Sequence, residues 1–281
     1  ASFVSDGAVT LLASAQVIAV LPVSLFGMAV SASQLPAMSG ELGDDATVSA
    51  ALRARLDDGL RRIAFYVVPS SMAFFALGDI VGGLLYQTGH FQAQDTLWLW
   101  SVLAGAAVGL LAGTLGRLYA STWYALRNTR VPLQFAMVRV ALTVVLGVIA
   151  SLHLPAWLGV DAKWGAAGLT ASAGVAAWVE FTLLRRSMAT RIGAPPVEGA
   201  YLRALWKSAG IAALVALLVK AGFQWGAWHE VHLMRVGAEP MQLGLVALPL
   251  YGLVYLALTR REGIAEATAV SGRLARLLAR R

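Results

Sequence analysis

Four ionisable side chains sit inside otherwise apolar runs: Asp79, Arg117, Arg139 and Glu180. A charge deep in a hydrocarbon layer costs about 2.5–3.5 kcal/mol on insertion scales, so such groups usually face a water-filled cavity or a partner. Their functional reading is a polar cavity between helices that receives a charged solute. The competing reading is mutual pairing, or escape of the side chain to the nearer interface. Arg117 and Glu180 lie a turn or two from the ends of their segments, within reach of that escape. Arg139 lies nine residues into its segment, too deep for it. Asp79 lies towards the outer end of its own.

Other chemistries are thinly represented. His229-Glu230-Val231-His232 has the spacing H-E-x-H, whereas zinc-binding helices of the H-E-x-x-H type need imidazoles four apart. The absence of cysteine excludes disulfides, thiolate metal sites and a cysteine nucleophile. There is no Walker loop and no G-x-S-x-G elbow. A membrane-embedded glycosyl- or acyltransferase would need a His or Asp pair near one interface, and the sequence offers none. A rhodopsin-like receptor is excluded by the lack of a lysine in the last apolar segment, where Pro249 is the only special residue. No catalytic residue, metal or cofactor is expected, and the chain reads as a non-enzyme.

The elements that position these residues must be membrane helices. Of 281 residues, 58% are hydrophobic and 13% charged, with a mean hydropathy of +0.69. Soluble domains carry about 25% charged residues. A span needs about 20 apolar residues to cross about 30 Å of hydrocarbon. Seven segments qualify: Ala8–Met38, Ile63–Tyr86, Thr96–Tyr124, Val131–Leu154, Trp164–Leu184, Leu205–Phe223 and Met241–Thr259. Pro22 is expected to kink the first. Of the 22 Lys and Arg, seventeen fall in alternate connections and the C-terminal tail, against three on the other face. By the positive-inside rule, residue 1 is expected outside and the C-terminus in the cytoplasm. Spread over loops, with no aromatic-rich basic groove, this charge gives no reason to expect nucleic-acid binding.

Gly105, Gly109 and Gly113 recur every four residues on the third segment, a ladder that allows close helix approach. It reads either as a sliding seam or as plain packing. Ile264, Val270, Leu274, Leu277 and Leu278 share one face of a basic tail helix, the pattern of an anchor on anionic membrane lipids. Asp44–Arg62, with Leu52, Leu56 and Leu60 four apart, is a weaker version. The chain opens at Ala1 with no basic n-region, so it is expected to be part of a longer protein.

Three ordered stretches resemble the MurJ (MviN) lipid II flippases of the multidrug/oligosaccharidyl-lipid/polysaccharide exporter superfamily. Leu21-Pro22-Val23-Ser24-Leu25-Phe26-Gly27-Met28-Ala29, continuing to Leu35-Pro36-Ala37-Met38-Ser39, is similar to the family's L-P-x-x-L-F-G-x-A … L-P-x-x-S helix. Tyr86 to Phe91 followed by Asp95-Thr96 is similar to its external turn. Gly116 to Pro132, including Tyr124, Arg127, Asn128, Arg130 and Pro132, is similar to its basic … F-Y-A-x-x-D-T-x-T-P cytoplasmic junction. Asn128 stands where the family usually has Asp. The family often has an arginine five residues before the L-P; Val17 stands there, preceded by Gln16, which joins the cavity candidates.

The resemblance implies an all-α fold of about fourteen spans, of which this chain would supply helices eight to fourteen. Residues 1–188 would form most of the second lobe, and 189–281 the last two spans with the basic tail. Pro22 and Gly27 would form a helix kink. The implied function is movement of an undecaprenyl-pyrophosphate-linked peptidoglycan precursor, lipid II, from the inner to the outer leaflet of the bacterial cytoplasmic (inner) membrane by alternating access. The first lobe lies outside this chain on that plan and would be its partner, so the chain alone is not expected to flip lipid. Close alternatives are export of another polyprenyl-linked oligosaccharide, or cation-coupled drug antiport using Asp79 and Glu180.

Overall fold

The computed structural model describes residues 8–28, 45–86, 93–193, 199–228 and 239–278. Every regular element among them is helical: α1 (Ala8–Pro22), α2 (Asp45–Tyr86), α3 (Ala93–Ala125), α4 (Arg130–Val148), α5 (Leu154–Leu158), α6 (Gly165–Ile192), α7 (Gly199–Trp228), α8 (Pro240–Arg261) and α9 (Ala265–Leu278). Lipid offers backbone groups no hydrogen-bond partners, and a helix satisfies its own. Among the described residues, six stretches are long and apolar enough to span a membrane: 48–86, 94–125, 130–158, 162–192, 199–227 and 240–261. The first expected segment is apolar and helical over the shorter Val9–Leu25. Its continuation through Pro36 to Met38 lies outside the described residues, as do most of the external turn and His229 to His232.

The chain divides into two compact units, residues 1–71 with 101–198, and residues 72–100 with 199–281. In the first, α4 packs along α6. The glycine ladder explains the closeness of another pair, because a Cβ on Gly105 would strike Thr170 and Ala167 of α6, and one on Gly109 would strike the backbone of Gly174. Two side chains cross the same seam. Trp178 Nε1–H donates to the Val108 carbonyl at 2.7 Å, and the Thr170 hydroxyl to that of Val102 at 3.0 Å. In the second unit, α8 packs along α7 and α9 against α8.

Local departures from α geometry mark α1, α2 and the end of α4. The α1 backbone passes into a π-helical stretch, Val23–Met28, directly after Pro22, whose missing N–H breaks the i→i−4 ladder. Gly27 lies within that stretch. A second π-helical stretch, Ile149–His153, joins α4 to α5. Within α2, Leu77 leaves helical geometry (φ −126°, ψ 16°), and the nearby Phe75 carbonyl accepts from Trp100 Nε1–H at 2.9 Å.

One expectation is corrected. Leu52, Leu56 and Leu60 are buried on α2, which runs unbroken from the basic segment into the span, and Gly59 faces Leu118. Their stripe meets protein in the first unit instead of resting on a leaflet. A four-residue apolar spacing is shared by surface-lying and core-packed helices, so spacing alone does not separate them.

Candidate functional site

The sequence places one arginine on each of two helices, α3 and α4, and a carboxylate on a third, α6; the fold of the first unit brings them together. A cavity of about 180 Å³ is lined by Gln16 of α1, Arg117 of α3, Arg139 of α4 and the small residues of the α3–α6 seam, Gly109, Gly113 and Gly174 among them. It is large enough to hold several waters. Small residues are what make the space. Gly113 has only the Ala177 Cβ, 4.0 Å away, near the position its own Cβ would take.

The two guanidinium groups are not equivalent. Arg139 donates through one terminal nitrogen to Glu180 Oε2 at 2.9 Å, and its side chain remains 37% exposed while that of Glu180 is 14% exposed. Arg117 is exposed and has no carboxylate at contact distance among the described residues, although it lies within the electrostatic reach of Arg139 and Glu180. Two cations against one anion leave the cluster with a net positive charge. The hydroxyls of Thr114 and Thr170, which also line the cavity, donate to the carbonyls of Leu110 (2.6 Å) and Val102 (3.0 Å). The donors free for a solute are therefore chiefly the arginines and the Gln16 amide. Guanidinium forks match phosphate and carboxylate oxygens in pairs, so this arrangement suits an oxyanion.

Asp79 is not among the residues lining the cavity. It lies in the second unit, ion-paired with Lys220 of α7, each side chain about one-fifth exposed. Sequence reasoning did not supply that partner. The only available signal was the cost of leaving a carboxylate alone at that depth, which calls for a cation without saying on which helix.

The junction between α3 and α4 is built from backbone geometry. Arg127 adopts a left-handed conformation (φ 55°), its N–H bonding to the Tyr124 carbonyl at 2.9 Å while the Asn128 N–H bonds to that of Trp123 at 3.0 Å. That is the Schellman closure of α3, with arginine in the place glycine most often takes. Asn128 then turns the chain into α4: its Oδ1 accepts from the N–H groups of Arg130 (3.1 Å) and Val131 (3.3 Å). Asp and Asn both supply this capping oxygen, so the departure from the family pattern leaves the junction's hydrogen bonding intact. Pro132 is buried in the first turn of α4, where no intrahelical donor is required. Tyr124, Arg127 and Arg130 are exposed.

Comparison with known proteins places this geometry. Residues 1–238 match the family model described as lipid II flippase MurJ. Similar curated proteins include the lipid II flippase MurJ of Burkholderia cenocepacia, 27% identical over 259 residues that cover 91% of this chain and 48% of that protein. Another is the probable lipid II flippase MurJ of Vibrio cholerae serotype O1, 25% identical over 188 residues, 67% of this chain and 34% of that protein. The chain thus spans about half or less of the length of these relatives. A solved structure titled "Lipid II flippase MurJ, inward closed conformation" has the same fold, with a TM-score of 0.70 at 20% identity over 91% of this chain and 47% of that one.

Proposed function

This chain belongs to the lipid II flippase MurJ family, and on that premise we propose that it forms the C-terminal part of a carrier that moves lipid II across the bacterial cytoplasmic membrane. The observation that carries the reading is the cavity of the first unit, where Arg117, Arg139 and Gln16 converge among membrane-length helices. A pyrophosphate-linked sugar headgroup cannot cross about 30 Å of hydrocarbon unaided. Guanidinium groups replace its hydration with paired charge-assisted hydrogen bonds, while the polyprenyl tail stays in lipid. The work is binding and passage, with no bond made or broken, so the role is that of a transporter and not of an enzyme. A first lobe would be its partner in the whole carrier, anionic lipids would meet the basic tail, and residue 1 would lie outside with the C-terminus inside. Residues 1–188 would belong to the second lobe and 189–281 to the last two spans and tail.

The antiport reading is less well supported. It needs intramembrane carboxylates open to a coupling cation, whereas Asp79 is engaged by Lys220 and Glu180 by Arg139. The test is binding of farnesyl diphosphate to the purified chain in lipid nanodiscs. Arg117→Gln is expected to weaken binding at least tenfold; unchanged affinity in Arg117→Gln overturns the assignment of the cavity.

A further inference from the structure

Arg139 and Arg117 face one cavity, but among the described residues only Arg139 is held by a carboxylate, and its pair with Glu180 joins two helices that pack along each other, α4 and α6. The contact is single: one guanidinium nitrogen meets one oxygen of Glu180 at 2.9 Å. A guanidinium has five N–H donors in a rigid fork, and it grips a phosphate best when a whole edge is turned to it. Arg139 is also the more exposed member of the pair, at 37% against 14%. Its uncommitted donors are therefore accessible while Glu180 stays recessed behind it.

We infer that Glu180 is an internal competitor for the ligand's anion: it holds Arg139 until a diphosphate headgroup takes that guanidinium from it, and it takes Arg139 back when the headgroup leaves. This rests on the cavity being the diphosphate site proposed above. Arg117 is the first point of capture, since no carboxylate has to be displaced from it. Arg139 is the second, and Glu180 is a specificity-determining residue acting through it.

The charge count gives the direction. Two guanidinium groups and one carboxylate have a net charge of +1. A diphosphate, which offers one phosphate group to each guanidinium, repays the loss of the Glu180 contact; a monophosphate, which carries less charge and can be held by Arg117 alone, does so poorly. The carboxylate also stays close after displacement and repels the bound anion. Its presence lowers affinity and speeds release, as a carrier requires of a site that must both fill and discharge. A ligand shifts a two-state equilibrium only through its differential interaction with the two states, and the exchange of partners on Arg139 supplies one.

The test measures binding of farnesyl diphosphate and farnesyl monophosphate to the chain in nanodiscs, alongside the melting temperature of each variant. Glu180→Gln is expected to bind the diphosphate at least tenfold more tightly than wild type. In an Arg139→Gln background the same change is expected to give a clearly smaller gain, the part due to relieved repulsion alone; an equal gain in both backgrounds overturns the competition for Arg139. Wild type is expected to prefer diphosphate to monophosphate, and Glu180→Gln to narrow that preference by tightening the monophosphate most. If Glu180→Gln binds no more tightly while Arg117→Gln loses binding, the competitor role is overturned and the site stands. If Arg117→Gln binds as wild type does, the site itself is overturned. Should Glu180→Gln not fold, Glu180→Asp withdraws the carboxylate from Arg139 by one methylene. Tighter diphosphate binding in that variant supports the inference, and unchanged or weaker binding overturns it.

Discussion

Alanine at Gly109 and alanine at Gly113 are the same chemical change one turn apart on α3, yet they are expected to move stability in opposite directions. At Gly109 the added methyl falls on the Gly174 backbone, with the Gly174 carbonyl carbon 3.2 Å and its nitrogen 3.3 Å away. Backbone atoms have no rotamer to retreat into, so the helices must part. Overpacking of this kind costs about 1–3 kcal/mol. Parting also stretches the Trp178–Val108 and Thr170–Val102 hydrogen bonds, each worth about 1 kcal/mol. Against this, alanine gains about 1 kcal/mol over glycine inside a helix. With about half of that hydrogen-bond energy lost on stretching, the net is a loss of about 2 kcal/mol. At Gly113 the nearest atom is 4.0 Å away, so only the helix gain of up to about 1 kcal/mol remains. The two variants therefore differ by about 3 kcal/mol, roughly 6–12 °C in melting temperature for a chain of this size. Thermal unfolding in one detergent, followed by circular dichroism, reads this directly. If Gly109→Ala melts at or above Gly113→Ala, the seam is not packed as described.

Two further outcomes are expected. Asn128→Ala removes the oxygen that accepts from Arg130 and Val131 and should cost about 1 kcal/mol, whereas Asn128→Asp should be at least as stable as wild type because a negative charge there favours the α4 N-terminus; equal melting temperatures for the two would refute the capping role. The cysteine-free sequence gives a clean labelling background, so Thr129→Cys and Ser271→Cys should both react from the cytoplasmic side and Asp161→Cys from the outside, and any other distribution in intact cells overturns the proposed orientation.

The six long apolar spans were legible because lipid imposes one simple demand, about 20 residues with few charges, and the sequence meets it in discrete blocks. The convergence of Arg117, Arg139 and Gln16 was legible only in pieces: the arginines as separate costly groups, which depth in the membrane marks without saying which share a cavity, and Gln16 through the family resemblance alone. Three features were not legible. Lys220 reads as an ordinary end-of-span lysine until α7 is seen beside Asp79. The leucine stripe of the α2 extension reads the same whether lipid or protein covers it, and only the burial of Leu52, Leu56 and Leu60 in the fold decides for protein. The grouping of residues 72–100 with 199–281 leaves no mark in composition at all.

The widened turn at Ile149–His153 has a consequence for how the fourth span tolerates editing. A π-helical turn amounts to one surplus residue in an α-helix, so side chains on either side of it are out of phase by roughly 100°. Removing one residue there would let the backbone relax into a regular helix with both Arg139 and Trp157 keeping their bearing, because the turn already holds the surplus residue. The same excision inside α3 would have no such slack to absorb it, and would turn Arg117 away from its companions.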